Sequence, residues 1–200
     1  SITTVGVGTT TVWLSLEDDG TYEPGTASMT LTVAALPMTV TADPQTKVYG
    51  ATDPELTYSY VPSGPLTNTH TVTFTGTLTR TSNENAGTYS ITQGSLTNAN
   101  YSITYVGADF TITKAPTDIA DGNSATYTDT IITFGDSDIL LTPTSSNTAD
   151  YTFTSSDSSV ASITTTSTNT ASIRNMGVGS AEITISQGAD TNYQAKTVSY

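Results

Sequence analysis

The sequence predicts an all-β protein made of tandem small β-sandwich domains in an extended, bead-like array. Three observations predict it. Apolar and polar residues alternate with period two along many short runs, turn-forming clusters punctuate those runs, and the opening of the chain recurs near its end. No stretch carries a helical period.

The recurrence sets the organisation. Ser1-Ile2-Thr3-Thr4-Val5-Gly6-Val7-Gly8-Thr9 returns as Ser172-Ile173-Arg174-Asn175-Met176-Gly177-Val178-Gly179-Ser180, a constant offset of 171 residues. The match runs on without a gap, with Ser15 on Ser186, Asp19 on Asp190, Tyr22 on Tyr193, Thr26 on Thr197 and Ser28 on Ser199. The simplest account is a window on a tandem array in which each unit touches mainly its neighbours. The alternative is two diverged domains without further copies.

Pro37 and Pro116 mark two junctions, each after a strand-like run: Thr30-Leu31-Thr32-Val33 and Phe110-Thr111-Ile112-Thr113. Proline biases its predecessor to extended backbone and removes a donor, and no Gly/Ser tract loosens either joint. Strand is expected to pass almost directly into strand. The expected domains are 1–36 (the C-terminal part of a domain), 37–114, and 115–200 (the same kind of domain as the first, its last strand cut short).

Thr71-Val72-Thr73-Phe74-Thr75 and Thr77-Leu78-Thr79 read as strands with Val72, Phe74 and Leu78 inward. Tyr101–Tyr105, Phe110–Thr113 and Ala181–Ser186 alternate in the same way. The turns Ser63-Gly64-Pro65, Asn83-Glu84-Asn85-Ala86-Gly87 and Gly135-Asp136-Ser137-Asp138 separate such runs. Tyr58, Tyr89, Tyr101 and Tyr193 are expected to fill or cap small cores with the hydroxyl at the rim. Trp13 aligns with Thr184, a polar position, and marks a contact between domains or filaments.

Composition narrows the function classes. Apolar residues make up 35% of the chain and charged residues 12%, with Thr and Ser filling the gap from globular averages. The ordered alternation and eleven tyrosines distinguish it from a disordered tract. A net charge of −13 with five basic residues argues against nucleic acid or an anionic membrane surface as partner. No apolar run approaches the roughly 20 residues a bilayer span needs, so no membrane insertion is expected in this segment. The absence of cysteine removes disulfides and thiolate metal sites.

Residues 37–114 resemble the MBG domain, YG type, of large bacterial surface proteins. The resemblance is carried by Lys47-Val48-Tyr49-Gly50, Asp53-Pro54-Glu55-Leu56-Thr57-Tyr58, Thr75-Gly76-Thr77-Leu78-Thr79-Arg80, Asn85-Ala86-Gly87-Thr88-Tyr89, Asn100-Tyr101-Ser102-Ile103 and Gly107-Ala108-Asp109-Phe110. Residues 115–200 resemble a bacterial Ig-like domain of the Big type, through Thr133-Phe134-Gly135-Asp136, Phe153-Thr154-Ser155-Ser156-Asp157-Ser158-Ser159-Val160-Ala161 and Gly177-Val178-Gly179-Ser180-Ala181-Glu182-Ile183-Thr184. Residues 1–36 resemble the tail of such a domain. Both families imply extracellular arrays in adhesins and related surface proteins, and neither implies a catalytic motif.

No nucleophile–base pair is legible, and the single imidazole, His70, reads as a polar loop or edge residue. No catalytic or cofactor-binding residue is therefore expected, and the chain is expected not to be an enzyme. Hard oxygen ligands of the kind calcium takes occur in Glu17-Asp18-Asp19, Asp118 with Asp121, and Asp136-Ser137-Asp138. Asp18, Asp19, Asp136 and Asp138 are the calcium candidates, against a reading as solvated turns. Asp18 does not recur, since Ala189 takes its place. Lys47, Lys114 and Lys196 near Asn suggest an isopeptide crosslink, against a reading as solvent-facing lysines. Asp129-Thr130-Ile131 has the form of an O-glycosylation site and Asn100-Tyr101-Ser102 that of an N-glycosylation sequon.

The expected function is a structural repeat segment, a stalk or spacer for adhesion, in a large bacterial cell-surface adhesin or filament. Gliding motility adhesins are one case. Its expected partners are neighbouring copies of the same repeat, with lateral self-association or surface glycans and proteins as further ones. The alternatives are a glycan- or protein-binding module and an accessory module of a secreted polysaccharide-degrading enzyme.

Overall fold

The computed structural model describes residues 2–64, 71–122 and 127–200. These are all-β, in several small sheets, without a helix among the described residues. Strands β1 (Gly8–Leu16) and β2 (Gly25–Val33) form a two-stranded antiparallel ribbon. Its rungs set Val12 opposite Met29, Leu14 opposite Ala27 and Trp13 opposite Ser28. Opposed residues share a face. One face therefore carries Val12, Leu14, Leu16, Ala27, Met29 and Leu31, and the other is Thr and Ser around Trp13.

The chain continues through β3 (Leu36–Ala42), β4 (Gln45–Val48), β5 (Tyr58–Pro62), β6 (Thr79–Arg80), β7 (Gly87–Thr92), β8 (Tyr101–Val106) and β9 (Ala108–Thr113). Only Ala34 and Ala35 separate β2 from β3, so strand passes almost directly into strand at Pro37, as expected. One sheet has the order β5-β3-β8, with β3 antiparallel to β5 and parallel to β8. Another has the order β4-β9-β7-β6.

By compactness the chain falls into two units. The first comprises Ser1–Gln45, Pro54–Ser82 and Tyr89–Phe110, and the second Thr46–Asp53, Asn83–Thr88 and Thr111–Tyr200. In the first, alternate β3 residues Met38, Val40 and Ala42 are buried with Leu78, Ile91, Leu96 and Phe110. The Arg80 guanidinium lies 4.8 Å over the Phe110 ring, a cation–π contact that also covers the apolar ring edge. Tyr105 Oη donates to the Ile91 carbonyl at 3.1 Å, an apolar body with a satisfied polar tip.

The strand expected over Thr71–Thr75 is a correction. Leu78 is buried and Val72 and Phe74 half-buried, so the inward side was read correctly, but the backbone forms only a single bridge, Thr75 with Thr97. Gly76 follows at φ +79° and turns the chain against Ser95, whose Oγ accepts the Thr77 N–H. The backbone donors go to the 93–97 turn, so alternation survives without a ladder.

The second unit contains β10 (Ile139–Leu141), β11 (Tyr151–Ser155), β12 (Ala161–Ser167), β13 (Thr170–Asn175), β14 (Ile183–Gln187) and β15 (Lys196–Ser199), in two sheets of order β10-β13-β12 and β11-β14-β15. Leu141, Ala171 and Ile173 of the first sheet share one core with Tyr151, Ile183 and Ile185 of the second. This is the packing of a small β-sandwich. Direct passage into a strand fails at Pro116: among the described residues, Ala115 and Ala120 make single bridges and no strand begins before Ile139.

The repeat is present in three dimensions. The β14–β15 rungs Thr184–Ser199, Ile185–Val198, Ser186–Thr197 and Gln187–Lys196 reproduce, at the same offset, the β1–β2 rungs Trp13–Ser28, Leu14–Ala27, Ser15–Thr26 and Leu16–Gly25.

At Gly76 a Cβ would meet the Ser95 carbonyl oxygen at 2.2 Å, and φ is +79°; at Gly50 φ is +82° but the space is open. Gly76→Ala is expected to lower unfolding free energy by about 2 kcal/mol or more, and Gly50→Ala by about 1 kcal/mol. Denaturant titration of the two variants checks the ranking.

Candidate functional site

The joint at Lys114-Ala115-Pro116 is tied by several hydrogen bonds, and it is built on a turn. The Asp190 carboxylate folds residues 190–193 back on themselves, its Oδ1 accepting the N–H groups of Asn192 at 2.8 Å and Tyr193 at 2.7 Å. Its Oδ2 accepts the Thr148 N–H at 2.8 Å and the Thr148 hydroxyl at 2.9 Å. These donors, the Thr148 amide foremost, hold its pKa down at about 2. The equivalent Asp19 makes the same turn, accepting from Thr21 and Tyr22.

The turn presents its backbone to the joint. The Ala115 N–H donates to the Asn192 carbonyl, and the Gln194 N–H donates to the Ala115 carbonyl, both at 2.8 Å. The Lys114 ammonium donates to the Asp190 carbonyl, and Gln194 Nε2 to the Lys114 carbonyl. Asn192 reaches the other way: its Oδ1 accepts the Ala86 N–H and its Nδ2 donates to Asn85 Oδ1. Tyr193 packs edge-on against Tyr49, ring centroids 5.5 Å apart.

Behind the joint lies a buried polar network that the sequence reading missed. Asn147 Nδ2 donates to Thr117 Oγ1, the Gly188 carbonyl and the Gln194 carbonyl, while Thr117 Oγ1 donates to that same Gln194 carbonyl. Gln187 Nε2 donates to the carbonyls of Asn147 and Ala149, and its Oε1 accepts from Ser145 Oγ. Buried amides of this kind are stabilising only when satisfied throughout, and these are. One signal was available: Gln187 continues the inward alternation Ile183-x-Ile185-x-Gln187, where its repeat counterpart is Leu16.

Lys47 is a second correction. Expected to face solvent, it is 7% exposed. Its Nζ lies 2.6 Å from Asp53 Oδ1 and 2.5 Å from Glu84 Oε2. The turn that follows β4, closed by the Ala51 N–H on the Val48 carbonyl, brings Asp53 back beside Lys47. Hydrogen bonds to Asp53 and then Glu84 raise the Lys47 pKa. Both acids remain partly exposed to water, so the geometry is that of an ion pair; Lys114 and Lys196 are exposed.

Of the calcium candidates, Asp18, Asp19 and Asp136 act as turn acceptors. Asp18 Oδ1 accepts the Gly20 N–H, Asp136 Oδ2 the Thr133 N–H, and Asp138 Oδ2 is 3.5 Å from Ser172 Oγ. Among the described residues no three acids or imidazoles gather in a way that would hold a metal ion. His70 and Pro65 lie outside the described residues. Asn100 Oδ1 accepts the Val7 N–H, and Thr130 is exposed with its hydroxyl donating to the Thr128 carbonyl. Tyr58, Tyr89, Tyr101 and Tyr193 are half-buried, and Trp13 is exposed.

A cleft of about 590 Å³ lies in the second unit beside Ile131, Phe134, Gly179, Ala181 and Tyr200. Residues 179–182 are the repeat counterparts of Gly8–Thr11, which pair with Thr30–Val33 of β2. In the β1–β2 register Thr30-Leu31-Thr32-Val33 thus stand opposite the equivalents of residues that line this cleft.

Residues 38–111 match the family model of the MBG domain (YGX type). No curated protein and no solved structure matches the chain.

Two outcomes follow from this geometry. An aspartate whose pKa falls on folding stabilises the fold above its unfolded value, roughly 3.9. That contribution is lost as pH falls through about 2, the folded value of Asp190. Thermal melts between pH 6 and pH 2 should therefore show a smaller loss for Asp190→Asn than for the unsubstituted chain. Extending the chain beyond Tyr200 by Thr-Leu-Thr-Val should raise Tm by about 5 °C through burial of the Leu and Val. A Thr-Asp-Thr-Asp extension should not.

Proposed function

We propose that this chain is a structural repeat segment of a large bacterial cell-surface adhesin or filament, acting as a stalk or spacer and not as an enzyme. The observation that carries the reading is the repeated strand register: the β1–β2 and β14–β15 rungs coincide at one offset, with an MBG-matching segment between them. Residues 1–36 and 115–200 are then copies of one Ig-like module. A spacer needs joints that hold under load, and Ala115 is bonded through both its N–H and its carbonyl. It needs no bound ion where carboxylates already tie the turns, as Asp19 and Asp190 do. The all-β, Thr-faced, cysteine-free chain suits the outside of a bacterial cell, where its neighbours would be further copies of itself.

Two measurements test this. Antibodies raised against residues 37–114 should label intact cells of the source bacterium in extended surface structures. The isolated chain should bind nothing on a glycan array. Labelling confined to the cell interior would overturn the surface reading, and specific glycan binding would replace the passive spacer with a ligand-binding module.

A further inference from the structure

We propose that the parallel pair β3–β8, inside the MBG-matching segment, is the tension-bearing clamp of this chain, loaded in shear along the strand axis. The inference rests on the spacer reading for its purpose and adds what carries the load.

Paired strands give way under tension in one of two manners. Where the pulled ends lie together, the rungs open one after another. Where the pulled ends lie at opposite ends of the ladder, every rung carries load at once and the strands must slide. The direction of pairing, with the points where the chain enters and leaves, decides between them.

In the β1–β2 ribbon the pairing is antiparallel and Gly8 stands opposite Val33, so tension across the ribbon opens its rungs singly. The pairing of β3 with β8 is parallel, in six rungs from Leu36–Tyr101 to Thr41–Val106. The chain enters β3 at Leu36, directly after Ala34 and Ala35, and leaves β8 at Val106 towards β9. Tension therefore drags β3 toward its first residue and β8 toward its last. The six rungs share the load.

Two further features keep this ladder from peeling. β3 is the central strand of β5-β3-β8, held on its other side by five rungs to β5, so it has no free edge. Its inward residues Met38, Val40 and Ala42 are buried, and a slip of one residue would turn them out of the core. The way out of the segment is secured in the same sense. The carbonyl of Thr113, the last residue of β9, accepts the Tyr49 N–H at 2.8 Å, and its hydroxyl donates to the Lys47 carbonyl at 3.2 Å. Lys47 and Tyr49 flank Val48, the last residue of β4, so β4 and β9 end side by side.

The chain has no cysteine, so thiol handles for single-molecule pulling can be set at chosen exposed positions. Three double variants of the full chain are pulled at one speed. Ala34→Cys with Val106→Cys loads the β3–β8 ladder from opposite ends. Ala34→Cys with Ala99→Cys loads the same ladder from one end, beside the bond from the Leu36 N–H to the Asn100 carbonyl. Ala34→Cys with Lys114→Cys pulls along the path of the chain itself. The first and third should rupture at about three- to sixfold the force of the second, since at most six rungs share the load that one would carry. Denaturant midpoints of the three should agree, which assigns the difference to direction and not to stability. Should Val106→Cys shift that midpoint, Thr104→Cys takes its place as the far handle.

Equal forces for the first and second variants would overturn the proposal, because direction would then not matter. A third force as low as the second would overturn it too, because chain tension would then bypass the sheared ladder. Neither result touches surface labelling or glycan binding, so failure here is separable from failure of the spacer reading.

Discussion

Most of the longer strands among the described residues have one apolar face, and hiding it is the constraint on which the rest of the structure depends. With 35% apolar residues there is enough oil for one side of each ribbon and no more. Threonine takes the other side, where a β-branched residue favours the pleat and the hydroxyl meets water. Two such ribbons must therefore face each other. In the second unit they do: the two three-stranded sheets bring Ile173 and Ile185 into one core. The same rule marks the β1–β2 ribbon, whose rungs are regular and whose Leu14, Leu16 and Met29 are exposed.

The joint at Pro116 is held by different physics. Apolar packing is tolerant of small slips, whereas a hydrogen-bond network admits one arrangement. Asn147, Thr117, Gln187 and Gln194 fix where residues 115–117 run relative to the 187–194 segment. Removing one member would leave buried carbonyls without donors, at about 1–3 kcal/mol for each orphan. Specificity at the joint comes from polar groups, and cohesion of the module comes from the sandwich behind it.

Much of the fold was legible because period-two alternation reports directly on which side is buried. It placed Phe110, Ile112, Ile183 and Ile185 inward, and all four are buried. It erred at Thr71–Thr75 because alternation describes side chains, while a ladder also needs a partner backbone, and Gly76 sends those donors to a turn. The site was legible only in part. The repeat paired Asp190 with Asp19 without assigning either a turn, and the bonds their Oδ1 atoms make coincide. Lys47 was misjudged because its two acids lie six and 37 residues away in sequence, and no local rule links them. Asn147 was invisible for a similar reason: one asparagine in a Ser/Thr/Asn-rich chain looks like any other until burial singles it out.

The divergence between Leu16 and Gln187 then acquires a meaning that packing alone does not give it. Tandem copies of one module risk mispairing during folding, because the strands of one copy suit the sheets of its neighbour. Hydrophobic contacts discriminate weakly between such similar partners, whereas an unsatisfied buried amide discriminates strongly. A strand set built around Asn147 and Ser145 fits Gln187 and leaves orphaned groups against Leu16. A strand set suited to leucine would in turn leave the Gln187 amide without its three partners. One inward position, shared by the two registers and filled differently, therefore sets different demands on whatever packs against it.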